Sequence, residues 1–296
     1  MEKKASLKEF PIRNKSIVNK RPIPFLIVTI LFAVYSLLLL FPIWFALNSA
    51  LKPSDPEYLI NITGITTNPA FHNFVRVFSD LTIGDVTYLG MMGNSLWWSF
   101  GTTTLSLISS MFLAYGVAKY RFRGRKFIYS FVLVIMVFPI YGTLPARYKL
   151  YSDLGFIDSP LLLLAYTGAF DASFLVLYAF FKNVKWEFGE SGLIDGASHW
   201  RIFLQIMVPM AVPAITALFV TNFIVNWNNY SDVLLYLPEN ITLSSGMFVF
   251  QEKMMRNADH PLFYAGMLIS LIPIFAVYIW LQRTIMQLSF DGGLKE

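Results

Sequence analysis

The stretch from Pro24 to Leu51, "PFLIVTILFAVYSLLLLFPIWFALNSAL", runs for 28 residues without an Asp, Glu, Lys or Arg. Such a run leaves few choices, because a helix crosses a bilayer with roughly 20 mainly apolar residues. Five further apolar windows follow, at Tyr88–Ala118, Phe127–Leu144, Pro160–Phe181, Met210–Trp227 and Leu262–Leu281. Charged residues make up only 14% of the 296, against about 25% in soluble domains. Strand-length alternation is absent, which argues against a membrane β-barrel. The expected fold is therefore an all-α membrane protein with six transmembrane helices. A basic stretch precedes the first window, so a signal peptide competes for it. The apolar run exceeds the roughly 7–15 residues of a signal core, and an uncleaved anchor is expected.

Basic residues orient the spans. The N-terminal tail, the second-to-third loop, the fourth-to-fifth loop and the C-terminal tail together hold 17 of the 23 Lys and Arg residues. The opposite loops hold Lys52, Arg76, Arg147, Lys149, Lys253 and Arg256. This imbalance predicts that both termini and the fourth-to-fifth loop face the cytoplasm. It also weakens the inference from the net charge of +5 to a nucleic-acid partner, which is not expected. No cysteine is present and His72, His199 and His260 lie far apart, so neither disulfides nor a metal site is expected. No Walker A run occurs, so a nucleotide site would have to come from another chain. The longer opposite loops, residues 52–87 and 231–261, have room for short helices.

One segment interrupts the apolar pattern, "ESGLIDGASHWRIFLQIMVP", Glu190 to Pro209. A short helix is expected over Trp186–Ile194, and Asp195-Gly196 is a turn signal. Ser198 is a candidate N-cap for a second helix running through Ile202, Phe203 and Ile206 toward Pro209. The small residues Ser191, Gly192, Gly196 and Ala197 let another surface approach, and Leu193, Ile194 and Trp200 offer apolar anchors. The residues alone leave two readings open: a hairpin packed under its own bundle, or a docking element for a partner.

The spacing Glu190-x(5)-Gly196-x(9)-Ile206-x-Val208-Pro209 resembles the EAA motif of ABC importer permeases, E-A-A-x(3)-G-x(9)-I-x-L-P. Asp195-Gly196-Ala197, Phe203 and the Pro209-x(3)-Pro213 pair resemble the carbohydrate branch, in particular the smaller six-span permease of maltose-type importers. Trp227-Asn228-Asn229-Tyr230 is similar to that branch's W-N-D/E-F stretch. The resemblance is clear from about Leu161 onward and vaguer before it. Ser191 and Gly192 stand where the motif has paired alanines, and Val208 where it has leucine; Gly192 costs a helix about 1 kcal/mol relative to Ala.

The resemblance implies a type I permease with a cytoplasmic coupling helix seated in a cleft of a separate ATPase. Glu190, Ser191, Gly192, Leu193, Asp195, Gly196, Ala197 and Pro209 would form that contact. It implies a second permease subunit forming a heterodimer, two ATPase subunits binding ATP and Mg, and an extracellular or periplasmic solute-binding protein. No cofactor is expected in this chain itself, and its location would be the cytoplasmic membrane of a bacterium or archaeon, in contact with lipid. The implied organisation is a cytoplasmic tail over 1–23, a six-helix domain over 24–284 containing a coupling loop at 182–209, and a cytoplasmic tail over 285–296. The Leu288–Glu296 stretch, "LSFDGGLKE", resembles family tails that reach the ATPases; a free end is the competing reading.

Polar residues within the apolar windows are candidates for the solute path. Asp171 is an acid inside the fourth window, and such groups face the bundle interior or a watery cavity. It can accept hydrogen bonds from a polar solute or tie two helices together. Asn222, Trp227, Asn228, Asn229 and Tyr230 combine amides with aromatics, which suits sugar hydroxyls and C–H faces; interfacial anchoring is the alternative for the two aromatics. Asn94 and Thr102–Thr104 read as helix-to-helix glue. An importer of a non-sugar solute remains an alternative. An ion-coupled secondary transporter calls for charged pairs or repeats within the spans, and a membrane enzyme for converging catalytic groups; neither pattern is visible.

Overall fold

The computed structural model describes residues 22–138, 142–254 and 258–293. In chain order its elements are α1 (Pro22–Ala50), α2 (Asp55–Ile60), α3 (His72–Asp80), a two-residue hairpin of β1 (Thr82–Ile83) and β2 (Val86–Thr87), and α4 (Tyr88–Lys119). Then come α5 (Arg125–Val137), α6 (Leu144–Asp153), a 3-10 segment (Pro160–Tyr166), α7 (Ala172–Asn183), α8 (Glu187–Ile194) and α9 (His199–Ile202). A π-helical turn (Phe203–Met207) leads into α10 (Val208–Trp227), followed by α11 (Tyr230–Tyr236), α12 (Leu243–Lys253) and α13 (His260–Gly293). Helices dominate because a chain this apolar must satisfy its backbone N–H and C=O groups internally once water is excluded.

The chain divides into two units, residues 1–46 and 47–296. In the first, every side chain from Phe25 to Trp44 is exposed, a surface that calls for lipid or another protein around it. Thr29 and Ser36 turn their hydroxyls onto the carbonyls of Phe25 and Phe32, at 2.8 Å each, so the run presents almost no unsatisfied polar group. The tail expected over 1–23 lies, as far as Arg21, outside the described residues.

The second unit is built along α4. One apolar cluster surrounds its start, where Tyr88 and Met91 pack with Phe223, Trp227, Leu243 and Leu262. A second surrounds its end, where Ala114, Tyr115 and Val117 pack with Phe174, Phe181, Ile202 and Phe203. With a rise of about 1.5 Å per residue, these clusters sit some 35–45 Å apart along the helix. The end of α10 meets the start of α4, so the two run antiparallel. A third, smaller cluster joins Trp98, Leu162, Val233, Tyr236 and Leu237.

Four helices among the described residues are long and apolar enough to cross a membrane: Phe25–Ala50, Tyr88–Lys119, His199–Trp227 and His260–Thr284. They correspond to the first, second, fifth and sixth apolar windows. The third and fourth windows are not single helices. The third is helical to Val137, includes residues 139–141 outside the described set, and resumes at Leu144. The fourth breaks between Tyr166 and Ala172, where Gly168 disfavours a helix and Asp171 starts a new one. The 12 residues of α7 span only about 18 Å, short of a bilayer core of about 30 Å. The tail boundary expected at 284–285 is also not an element boundary, because α13 continues to Gly293.

Short helices do form in the long loops, and polar contacts bind them. Asn73, fully buried, donates from Nδ2 to the carbonyls of Ala50 (2.9 Å) and Lys52 (2.8 Å). The Lys52 ammonium donates to the carbonyls of Asn61 and Ile62 and lies 5.2 Å from the centre of the Tyr58 ring. Burial pushes its pKa down, with Glu57 acting in the opposite sense. His260 Nδ1 meets Asp55 at 2.6 Å, and Arg76 bridges Asp80 and Asp259 at 2.9 and 2.8 Å, fastening α2 and α3 to the start of α13. Replacing Asn73 by Leu orphans two buried carbonyls, and the expected loss is about 1–3 kcal/mol. Thermal unfolding of the detergent-solubilised chain measures it; an unchanged midpoint would refute this account of the loop.

Candidate functional site

Between the two apolar clusters, α4 presents a band of hydroxyls: Thr102 and Thr103 stand four and three residues before Ser106, and Ser110 four after it, so they lie along one side of the helix. Opposite them stands Asp171. Its backbone is extended (φ −132°, ψ −176°) and its Oδ1 accepts from the N–H of Phe174 at 3.0 Å, capping α7. Ser110 donates to the same oxygen at 3.1 Å and Ser106 to Oδ2 at 3.3 Å. Asp171 is thus a helix cap tied to α4, not a residue in the interior of a continuous helix. Of the two roles open in the sequence, this geometry supplies the helix tie directly.

The tie borders a cavity. Thr102, Ser106, Tyr166, Asp171, Asn222, Val225 and Asn226 line a space of about 130 Å³. Asn222 donates to Ser173 at 2.9 Å and Asn226 to Thr103 at 3.0 Å. Tyr166 turns its hydroxyl away, donating to Asp232 Oδ2 at 2.8 Å. Asp232 also accepts from Asn229 Nδ2 at 3.0 Å and pairs with Arg147 at 3.6 Å. Tyr166, Asp232, Arg147, Ser106 and Asn226 were not singled out by sequence; only the polarity of Ser106 and Asn226 within apolar windows could have flagged them.

The expected path residues divide between separate places. Asp171 and Asn222 line the cavity just described. Asn229 caps α11 by accepting from the Asp232 N–H. Trp227, Asn228 and Tyr230 line a different space of about 290 Å³, with Ser244, Phe248 and Gln251. Trp227 is only 3% exposed and packs on Phe223, so most of its indole serves the core. Tyr230 stacks on Phe248 at 4.6 Å. Asn94 donates to the carbonyl of Ile241 at 3.0 Å, a helix-to-loop tie. Among the described residues no cluster of three or more His, Asp or Glu side chains could hold a metal ion.

The Glu190–Pro209 segment folds much as its turn signals suggest. α8 ends at Ile194, Gly196 takes a left-handed φ of +76°, and the Ser198 hydroxyl accepts from the Arg201 N–H at 3.3 Å to open α9. A side chain at 196 would be strained there. Gly192 is buried, and a methyl added to it would stand 3.1 Å from both Ile202 and Ile206. The glycine that disfavours the helix is therefore what brings α8 against α9 and the π turn. Glu190, Ser191, Leu193, Ile194, Asp195 and Gly196 are exposed, Ala197 half-buried; Ile194 reaches 86% exposure. Phe188 and Trp200 add to this apolar surface, though Trp200 also stacks on Phe112 at 5.4 Å. Pro209, exposed, sits in the first turn of α10, where its missing N–H is tolerated.

Removing the Asp171 carboxylate takes away a helix cap and two interhelical bonds. Asp171→Ala is expected to cost roughly 1–3 kcal/mol, and Asp171→Asn, which retains an acceptor oxygen, less. The two unfolding midpoints, compared with the wild type, measure this. Equal midpoints for the Ala variant and the wild type would show that the tie carries nothing.

The family described as "Binding-protein-dependent transport system inner membrane component" matches residues 106–287. The chain is 28% identical over 280 residues to the galactooligosaccharides transport system permease protein GanQ of Bacillus subtilis, covering 93% of this chain and 97% of that one. It is 28% identical over 262 residues to the diacetylchitobiose uptake system permease protein NgcG of Streptomyces coelicolor, covering 86% and 84%. Its fold resembles a chain of a bacterial ABC transporter involved in the import of the acidic polysaccharide alginate, with a TM-score of 0.71 at 22% identity, over 90% of this chain and 97% of that one. The chain belongs to the binding-protein-dependent transport system inner membrane components, the permeases of ABC importers, and it resembles the maltose-type carbohydrate branch.

Proposed function

We propose that this chain is one permease half of an ATP-driven importer for a sugar or oligosaccharide. A second, non-identical permease completes the translocation path, a solute-binding protein delivers the sugar, and two ATPase subunits bind ATP and Mg. The chain crosses the cytoplasmic membrane six times with both termini inside; the third and fourth crossings are made by broken helices whose free backbone groups face protein or a polar cavity. The sugar class is supported by the relatives, whose names specify galactooligosaccharide and diacetylchitobiose transport.

The observation that carries the coupling role is the α8–α9 hairpin. Its inner face, Gly192 against Ile202 and Ile206, is packed, while Glu190, Leu193 and Ile194 point outward. Because α9, the π turn and α10 form one continuous helix, a push on α8 passes straight into a membrane span. Asp171, Asn222, Trp227, Asn228, Asn229 and Tyr230 supply amide, carboxylate and aromatic groups of the kinds that recognise sugars.

Glu190→Ala and Gly196→Val are expected to lose co-purification of the ATPase and ATP-driven oligosaccharide uptake into proteoliposomes, with the membrane level of the protein maintained. Retention of both ATPase binding and uptake in the two variants would sink the coupling assignment. Uptake driven by a proton gradient without ATP would point instead to a self-contained transporter.

A further inference from the structure

Arg125, Lys126 and Lys182 converge on one groove between α5 and α7, where Tyr129, Ser130 and Tyr178 complete the lining of a space of about 480 Å³. A neighbouring space of about 460 Å³, edged by Arg121, Phe122 and Phe127, shares Arg125 and Lys126. None of the ion pairs among the described residues engages these cations. Lys182 lies 5.7 Å from the Tyr178 ring centre, and Arg125 donates to the Ala118 carbonyl at 3.3 Å. Three positive charges, two phenols and a hydroxyl thus face a cleft without a carboxylate.

Immediately beyond this polar cleft the surface turns apolar. Phe127, Phe131 and Val134 are 71%, 42% and 51% exposed. They occur at helical spacing on one side of α5, and Phe127 stacks on Phe131 at 5.8 Å. A cationic cleft continuous with an exposed apolar strip, on the side of the membrane where basic residues concentrate, matches a molecule with a phosphate head and hydrocarbon tails.

We infer that the α5–α7 groove is a binding site for an anionic phospholipid of the inner leaflet. Its phosphate is held by Lys126 and Lys182, with Tyr129 and Tyr178 as hydrogen-bond donors, and its acyl chain lies along Phe127, Phe131 and Val134. Bound there, the lipid joins α5 to α7, the two shortened helices in the third and fourth windows. The inference rests on the reading of these elements as the cytoplasmic ends of membrane segments, and it is independent of which solute is carried.

The test is native mass spectrometry of the transporter, purified with its partner subunits in mild detergent and supplied with phosphatidylglycerol or phosphatidylcholine. The wild type is expected to retain phosphatidylglycerol preferentially. A Lys126→Gln/Lys182→Gln variant is expected to retain it about tenfold less, since each interfacial cation contributes substantially to anionic-lipid affinity. The Lys126→Arg/Lys182→Arg variant is expected to restore retention, and a Lys185→Gln/Arg201→Gln variant, with the same loss of charge elsewhere, to behave as wild type. Equal retention of the two lipids, or equal retention by the Gln variant and the wild type, would overturn the site. So would displacement of the lipid by millimolar inorganic phosphate, which would mark a free-anion site. ATP-driven uptake by the same wild-type preparation tests the importer reading separately.

Discussion

The carboxylate of Asp171 accepts three hydrogen bonds at the place where a broken apolar run resumes as a helix, and the middle of the molecule is organised around that fact. A break inside a membrane segment exposes backbone groups that lipid cannot satisfy. One oxygen closes the first turn of α7, and both oxygens reach across to serines of α4. The same contacts fix α7 against α4 and leave room for a polar cavity beside them. Structural tie and cavity wall are therefore built from one set of atoms, so the energetic cost of an acid in this environment is offset by bonds that the fold needs anyway.

Much of this arrangement was legible in the chain, and the reasons for the remainder are specific. The four long helices followed directly from uninterrupted apolar runs. The α8–α9 hairpin followed from Gly196 and Ser198, whose preferences are local and so can be read without knowing what lies around them. The break in the fourth window was harder, because hydropathy averages over Gly168 and Asp171 and reports only that the run is apolar. Gly192 looked like a defect in a helix; its reason lies in Ile202 and Ile206, residues that become its neighbours only after the chain reverses.

The polar partners were least legible. Tyr166 and Asp232 are 66 positions apart, and neither carries a local signal of the other. The candidate path residues grouped by their proximity in sequence, Trp227 to Tyr230, serve a helix end, a helix start and a core at once. Short polar strings at helix junctions are divided among such tasks because consecutive residues point in different directions there.

The π turn at Phe203–Met207 accommodates one residue more than an α-helical path of the same length would. Each residue in a helix accounts for about 100° of rotation, so this single residue sets which way α8 faces relative to the span that follows. Shortening the turn by one residue would leave every side chain of the hairpin intact and its internal packing possible, yet swing its exposed edge through roughly a quarter of a circle. The turn thus sets the rotational phase between the hairpin's exposed edge and the long helix that follows, and a length change there would redirect that edge while leaving the hairpin's own packing in place.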